Sequence, residues 1–342
     1  MENFQEPTPE MNDETVPAVQ ETLVYPPKFE KPEGSSNVWL RSAVSLAFYL
    51  LIGFYFFPSY RILILITAIV LIHEMGHFLA MKFFRYADLG IFFIPLLGAY
   101  VSGTKREVSQ KESAVILLAG PLPGILIGIL FYFLWRSNPI GYLGGLSYET
   151  ISSWFLLLNL FNLIPVYPLD GGQLLNRVFL DEESWLSKAF VFLSAAAMGW
   201  FAWRLYSYSH QPVYFIFFLF PLSMLLRLSG DSRLRSAEKK IETAGLDMDK
   251  SYDELSDEDY WKTRDILISE YPPYREMKAG PPYEYSEKEE RVMHTIQSLL
   301  HRHLLQDISI AGKIFILLLW AAAIASPWLL KMELTLFSRL GF

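Results

Sequence analysis

The chain has 342 residues, of which 52% are hydrophobic and 19% are charged, and its mean hydropathy is +0.25. Because soluble globular chains carry about 25% charged residues, this composition is typical of a membrane protein with several spans and some polar segments. The net charge of −7 argues against a general nucleic-acid-binding protein. The absence of cysteine excludes disulfides, thiolate zinc ligands and a cysteine nucleophile, so a bound metal would need nitrogen and oxygen ligands.

The first 37 residues differ in composition from the rest of the chain. Met1–Asn37 is acidic, rich in proline and almost free of apolar runs, and it lacks the basic n-region of a signal peptide. A segment of this kind cannot bury enough apolar surface to offset the entropy of ordering. We therefore expect a disordered acidic N-terminal tail over residues 1–37.

Apolar segments long enough to cross a bilayer, about 20 residues each, follow this tail. They are Val38–Phe57, Ile62–Phe84, Ser113–Trp135, Ile151–Pro168, Trp185–Tyr206 and Ile308–Leu330. A seventh segment, Val213–Leu228, is short and contains Pro221, so it is the weakest candidate. The pattern predicts an all-α polytopic membrane protein with six to seven transmembrane helices.

Leu89–Glu107, between the second and third spans, is apolar and aromatic but is interrupted by Gly90, Pro95, Gly98 and Gly103. β-prone residues between glycines predict a membrane-associated β-hairpin. On composition alone, an ordinary amphipathic loop is an equal alternative.

The remaining domain boundaries follow from composition. We expect a transmembrane core of six spans over residues 38–228, a small soluble segment over 229–307, a final transmembrane helix over 308–330 and a C-terminal tail over 331–342. Apolar residues at helical spacing predict an amphipathic helix from Val292 to Leu304. His301 and His303, two positions apart, would face different ways on that helix and are expected to be solvated surface residues rather than metal ligands.

Basic residues predict the orientation of the spans. They are frequent between the second and third spans and again after Val213–Leu228, and cytoplasmic loops carry an excess of Lys and Arg. This places the N-terminal tail and residues 229–307 in the cytoplasm. If Val213–Leu228 does not span, everything after it changes side.

The second span contains three ionisable residues in the pattern H-E-x-x-H, namely His73, Glu74 and His77. Positions i and i+4 share one face of a helix, so both imidazoles can bind a single zinc ion while Glu74 addresses a water molecule. Ionisable groups inside a membrane are expensive, which makes a purely structural role for all three improbable. The alternative is a set of polar groups that bond one another within the helix packing.

A catalytic zinc ion needs a third protein ligand, and the best candidate is Asp170. An Asp before Gly171 and Gly172 is usually a turn residue, and that alternative stays open. Two observations favour a ligand. The preceding span contains Asn162, Pro165 and Pro168, so its backbone is irregular at a depth where irregularity requires a cavity. The predicted orientation also brings Asp170 to the same side of the membrane as His77.

The two motifs together resemble those of the site-2 proteases, a family of intramembrane zinc metalloproteases. The resemblance rests on His73-Glu74-Met75-Gly76-His77 and on Asn162-x-x-Pro165-x-x-Pro168-Leu169-Asp170-Gly171, and it covers roughly Val38 to Leu228. It implies that His73, His77 and Asp170 bind one zinc ion per chain, that Glu74 is the general base and that Asn162 contacts substrate or the oxyanion. It further implies regulated intramembrane proteolysis of transmembrane protein substrates. The expected location is a bacterial cytoplasmic membrane, and counting along the second span from Ile62 places the two histidines from the mid-membrane to the cytoplasmic half.

Ala119–Gly124, "AGPLPG", looks like a Gly-Pro element of the same family, although close helix packing through Gly120, Gly124 and Gly128 explains it equally well. The chain also departs from well-known members. Only Arg136–Thr150 separates the third and fourth spans, which is too short for a PDZ domain, and residues 229–307 are too short for a pair of cystathionine-β-synthase domains.

Two other functions are alternative interpretations of the same residues. A membrane transporter or metal-permeation protein could employ them as a transit site, but the sequence offers no further chain of intramembrane acidic residues as a relay. A catalytically inactive scaffold of the same fold is the other alternative, and the intact Glu74 counts against it. The expected partners are a transmembrane protein substrate and the lipid bilayer, with no nucleic acid.

Overall fold

The computed structural model describes residues 25–30, 37–57, 59–96, 98–105, 108–180, 184–210, 212–248, 250, 252–300 and 305–332. The helices are α1 Val38–Phe56, α2 Tyr60–Phe83, α3 Gln110–Ala119, α4 Pro121–Ser137, α5 Tyr148–Asn162, α6 Asp170–Leu174, α7 Trp185–Ser209, α8 Leu219–Thr243, α9 Asp257–Glu270, α10 Glu289–Leu300 and α11 Ile310–Leu329. Leu175–Phe179 extends α6 as a π-helical turn, and Pro212–Phe218 and Pro272–Tyr274 are 3-10 turns. The strands are β1 Ala87–Ile94, β2 Gly98–Thr104, β3 Tyr142–Leu143 and β4 Leu146–Ser147.

Side-chain caps begin many of the helices. Ser109, Ser147 and Ser184 each accept a hydrogen bond from the backbone N–H three residues later, at the start of α3, α5 and α7. Such caps satisfy N–H groups that have no partner inside the helix. They fix where the apolar helices begin.

Five helices of the described residues are long and apolar enough to cross a membrane: Val38–Phe56, Tyr60–Phe83, Gln110–Ser137, Trp185–Tyr208 and Ile310–Leu329. The predicted six to seven spans are therefore confirmed only in part. Ile151–Pro168 does not form a single helix, because α5 ends at Asn162 and a loop containing Pro165 and Pro168 follows. Val213–Leu228 is divided between a 3-10 turn and the start of α8.

The hairpin predicted over Leu89–Glu107 is present as the antiparallel pair β1–β2, in which Ile91 lies opposite Val101 and Ile94 opposite Gly98. It packs against α1 on one side, where Ser45 Oγ accepts a hydrogen bond from the Phe93 N–H at 3.1 Å. Residues of β2 face α2, so the hairpin lies beside the histidine motif.

A separate apolar core lies in residues 237–300, and we call this part of the chain the soluble domain after the prediction made for residues 229–307. Its core includes Ile241, Trp261, Leu267 and Ile296, each almost fully buried. The predicted boundary at residue 229 falls inside the continuous helix α8. The predicted amphipathic helix is observed as α10 up to Leu300. Residues 301–304, which include His301 and His303, lie outside the described residues.

The predicted disordered tail falls mostly on residues outside the description, namely 1–24 and 31–36. Residues 25–30 differ from that prediction, because they form an extended segment whose Tyr25 and Phe29 pack against the core of the soluble domain. These two aromatic residues, which flank Pro26 and Pro27, supply apolar surface that the average composition of the whole tail does not indicate.

Candidate metal centre

Helix α2 brings His73, Glu74 and His77 into the interior. All three are less than 10% exposed, and the two imidazole rings, one helical turn apart, have centroids 4.8 Å from each other. The face opposite carries apolar side chains such as Leu71 and Leu79, which are exposed. The three ionisable residues therefore point into the helix bundle, together with buried apolar residues such as Ile69 and Phe78.

The loop after α5 supplies the third member of the cluster. Leu163–Leu169 connects α5 to α6, and Asp170 is the first residue of α6. Asp170 Oδ2 lies 3.0 Å from His73 Nε2 and 3.4 Å from His77 Nε2. The predicted ligands His73, His77 and Asp170 therefore come together, with one ligand atom from each within 4.8 Å of the others.

The hydrogen bonds on the far side of each imidazole determine which nitrogen carries the proton. His73 Nδ1 lies 3.0 Å from Asn159 Oδ1, and the Asn159 amide is oriented by its Nδ2, which donates to the Phe155 carbonyl at 2.8 Å. His77 Nδ1 lies 2.8 Å from the Ile116 carbonyl oxygen. Both partners are acceptors, so both Nδ1 atoms are donors, and in the neutral imidazoles, the form that binds a metal, both Nε2 atoms keep their lone pairs.

Three lone pairs thus converge, those of the two Nε2 atoms, which are 3.1 Å apart, and that of Asp170 Oδ2. Lone pairs directed at one point repel one another unless a cation lies between them. Ligands about 2.05 Å from a tetrahedral zinc ion are separated by about 3.3 Å, which matches the spacing of these atoms. The donor set, two imidazoles and one carboxylate, also leaves a fourth position for water, as catalytic zinc sites require.

Glu74 is placed beside the cluster rather than in it. Its Oε2 is buried and has no hydrogen-bond donor among the described residues. The backbone N–H of Val101 in β2 donates a hydrogen bond to the same carboxylate. Glu74 is thus available to accept a proton while β2 holds it in place.

Two glycines of the "AGPLPG" segment make room for this arrangement. A Cβ at Gly120 would lie 2.3 Å from His77 Nε2, and a Cβ at Gly124 would lie 2.1 Å from Asn159 Nδ2. Any side chain at these positions would displace a predicted zinc ligand or the asparagine that orients one. Close packing, left open by the sequence, accounts for these glycines, and what they pack against is the metal centre itself.

A cavity of about 840 Å³ opens over the cluster. It is lined by His73, Glu74, His77 and Asp170, by residues of β2 and by Asn162. Asn162, predicted to contact substrate, therefore lies in the cavity.

Asn159 and Val101 are site residues that the sequence reasoning missed. Asn159 is fully buried, and it lies one helical turn before Asn162 on the same helix. A polar residue one turn before another in an apolar span was the available signal for Asn159. Nothing in the sequence marks Val101, because its contribution is a backbone N–H.

Part of the chain is similar in sequence to known proteins. Residues 61–154 match the model of Peptidase family M50. The chain is 30% identical over 119 residues to Stage IV sporulation protein FB of Bacillus subtilis, covering 35% of this chain and 40% of that one. It is 29% identical over 123 residues to a zinc metalloprotease of Methanocaldococcus jannaschii, covering 36% of this chain and 35% of that one.

Among solved structures, a site-2 protease from Methanocaldococcus jannaschii matches with a TM-score of 0.39 and 23% identity, over 53% of this chain and 84% of that one. The chain thus spans 40% or less of the length of the two curated relatives.

The predicted resemblance to site-2 proteases is therefore confirmed, and residues 61–154 are the segment of this chain that is similar to Peptidase family M50. The family match includes His73, Glu74 and His77 but ends before Asn162 and Asp170. The fold, rather than the family match, joins the two halves of the site.

Proposed function

We propose that the protein is an intramembrane zinc metalloprotease that hydrolyses peptide bonds within or near transmembrane segments of membrane proteins. The observation that carries the proposal is the convergence of three lone pairs, from His73, His77 and Asp170, beside a buried carboxylate that has an unpartnered oxygen. The apolar helices around the cluster support a location within the bilayer.

The three ligands would hold one zinc ion, whose chemistry is to polarise a peptide carbonyl and to lower the pKa of a water molecule toward about 7. Glu74 then acts on protons: its carboxylate accepts one from the attacking water and returns it to the leaving amine. The hydrogen bond from the Val101 N–H leaves Oε2 free for this transfer.

Strand β2 offers a place for the substrate. The Val101 N–H that contacts Glu74 points away from β1, so this edge of β2 faces the catalytic carboxylate. A transmembrane helix shields its carbonyls in i to i+4 hydrogen bonds and must unwind before attack, and an extended segment added to β2 would recover those backbone bonds. Asn162, which lines the same cavity, would donate to a substrate carbonyl.

The proposal extends to the setting of the enzyme. We place it in a bacterial cytoplasmic membrane with the site toward the cytoplasmic half, because of the bias of Lys and Arg along the sequence. Its partners are a transmembrane protein substrate and the bilayer, in a regulated intramembrane cleavage.

The test compares Glu74→Gln with His73→Ala in detergent-purified protein. Gln has the size of Glu but cannot accept the proton, so Glu74→Gln should keep zinc, at about one ion per chain, and lose cleavage by about 10²–10⁴-fold or more. His73→Ala should lose zinc and cleavage together. The assay is cleavage of candidate membrane proteins with zinc measured on the same samples.

Glu74→Gln should also co-purify with its substrate, because binding survives while hydrolysis does not. Unchanged cleavage in Glu74→Gln would refute protease chemistry. Zinc-dependent ion flux in vesicles that survives Glu74→Gln would instead favour a transport protein.

A further inference from the structure

Residues Tyr25–Glu30 run in an extended conformation over a groove of the soluble domain, more than 200 residues away in the chain. Trp261, Tyr283 and Tyr285 form the floor of the groove: the Trp261 ring lies 4.9 Å from the Tyr283 ring and stacks on that of Tyr285 at 5.7 Å. A row of aromatic rings beneath an extended Pro-Pro segment is the arrangement by which several protein modules recognise polyproline II peptides.

The groove contacts the backbone of the segment at successive residues. Trp261 Nε1 donates to the Pro26 carbonyl at 2.7 Å, and the Tyr285 hydroxyl donates to the Pro27 carbonyl at 2.5 Å. The Lys28 N–H donates to Asp257 Oδ1 at 2.7 Å. Because proline has no N–H, these bonds satisfy the backbone donors and acceptors of the segment from the Pro26 carbonyl to the Lys28 N–H.

The next carbonyl is contacted in the same way. The Tyr252 hydroxyl donates to the Phe29 carbonyl at 2.5 Å. Aromatic side chains also flank the prolines, since Tyr25 stacks on Tyr283 with ring centroids 5.4 Å apart and Phe29 meets the edge of Tyr285 at 5.6 Å.

The contacts of Lys28 make this position of the groove specific for a charged residue. Its ammonium donates to the carbonyl oxygens of Tyr252, Asp253 and Leu255 at 2.9, 2.7 and 3.0 Å. An ammonium group has three hydrogens, so one lysine fills all three acceptors of this turn. No residue without a terminal cation can do the same, and the groove therefore distinguishes lysine from neutral residues.

From these contacts we infer that the soluble domain is a recognition site for extended peptides of the pattern aromatic-Pro-Pro-Lys-aromatic, and that residues 25–30 of this chain occupy it in cis as a releasable ligand. The inference does not depend on the proposed protease activity.

The cis ligand is also a tether. Residue 30 lies seven positions before Asn37, which caps α1, and α1 packs on the β1–β2 hairpin through Ser45 and Phe93. While the groove is occupied, the soluble domain is tied to the helix that supports the hairpin. Release of residues 25–30 removes this connection without breaking the chain.

The first test measures binding of a fluorescent peptide of residues Tyr25–Glu30 to the full-length chain in detergent. In the wild-type chain, residues 25–30 compete with the free peptide for the groove at an effective concentration of about millimolar, so the free peptide should bind weakly. Lys28→Ala removes three charge-assisted hydrogen bonds of the tether, and we expect this host to bind the peptide at least about tenfold more tightly than wild type.

The matched control is Lys250→Ala, since Lys250 is a lysine of the same domain whose side chain is 42% exposed and forms a 3.9 Å ion pair with Asp247. This host should behave like wild type. The double variant Lys28→Ala, Trp261→Phe should not bind the peptide more tightly than wild type does, because phenylalanine lacks the indole N–H that donates to the Pro26 carbonyl. Equal peptide affinity in wild type, Lys28→Ala and Lys250→Ala would overturn the inference.

A second test uses a chain in which the contacts of Lys28 are intact. Glu30→Cys and Asp253→Cys introduce the chain's first cysteines at two exposed positions that both lie beside Tyr252. A short bismaleimide should link them within one chain, and excess free peptide should lower the yield. Links mainly between two chains, or no link at all, would overturn the assignment in cis.

Discussion

Replacing Asn159 with leucine tests whether the hydrogen bonds behind the imidazoles organise the metal centre. Asn159→Leu keeps a forked side chain but removes the oxygen that accepts the His73 Nδ1 proton at 3.0 Å. With zinc on Nε2, the proton must stay on Nδ1, where it would now have no acceptor. Without zinc, the imidazole can change tautomer and avoid this cost, so the penalty falls on the metal-bound state.

Leaving a buried donor unpaired costs about 1–3 kcal/mol, and loss of such a partner typically lowers metal affinity by about 10–100-fold. We expect Asn159→Leu to weaken zinc binding by that factor in a competition with a chromophoric chelator. Thermal unfolding of the metal-free protein should change much less, because the other bond of Asn159 goes to the Phe155 carbonyl, which lies within the same helix.

The matched control is Asn162→Ala, one turn along α5 and in the wall of the same cavity. It should leave zinc affinity unchanged and reduce cleavage. If Asn159→Leu binds zinc as tightly as wild type, or if both variants lose zinc equally, the assigned tautomer of His73 is wrong.

Two other predictions concern packing and charge. Gly120→Ala should abolish zinc binding, because its Cβ would lie 2.3 Å from His77 Nε2, whereas Gly199→Ala, whose nearest atom is 3.9 Å away, should keep it; zinc content of the purified variants decides. In the soluble domain, burial would raise the pKa of Glu289, but hydrogen bonds from Arg264 and Tyr260 outweigh it and hold the pKa below the usual range. A lowered pKa in the folded state stabilises the domain above the unfolded pKa, and this stability is lost as pH falls through the folded value. Thermal unfolding of the full chain should therefore show an acid-dependent loss below about pH 4.5 that Glu289→Gln flattens, and a wild-type profile that Glu289→Gln leaves unchanged would contradict this.

The sequence predicted the parts of the site that are encoded locally. H-E-x-x-H on a helix requires only the helical period, and the glycines of Leu89–Glu107 favoured a hairpin for local reasons. The end of α5 at Asn162 was signalled by two prolines, although the apolar run around them led to a predicted span over Ile151–Pro168.

Contacts between distant segments could not be predicted in the same way. Asn159 orients His73, which lies 86 residues earlier, and no local pattern reports that pairing. Residues 25–30 have the composition of a disordered tail, and their order depends on rings that the chain supplies more than 230 residues later. In both cases the local sequence specifies what a residue can donate or accept, and the tertiary fold decides with which partner.

The cost of burying ionisable groups among apolar helices explains how the site is built. The polar atoms that orient the two imidazoles are paired: His73 Nδ1 with Asn159, His77 Nδ1 with the Ile116 carbonyl, and Asn159 Nδ2 with the Phe155 carbonyl. Within this cluster Asp170 Oδ2 and Glu74 Oε2 have no hydrogen-bond donor. The Nε2 atoms of the two neutral imidazoles direct their lone pairs toward each other and toward Asp170. Unpaired buried acceptors are costly, so a fold that pairs all the supporting atoms and leaves these four free concentrates that cost at one point. A cation and a water molecule are the ligands that would relieve it, which is why binding of zinc, rather than helix packing alone, is expected to stabilise the core of this protein.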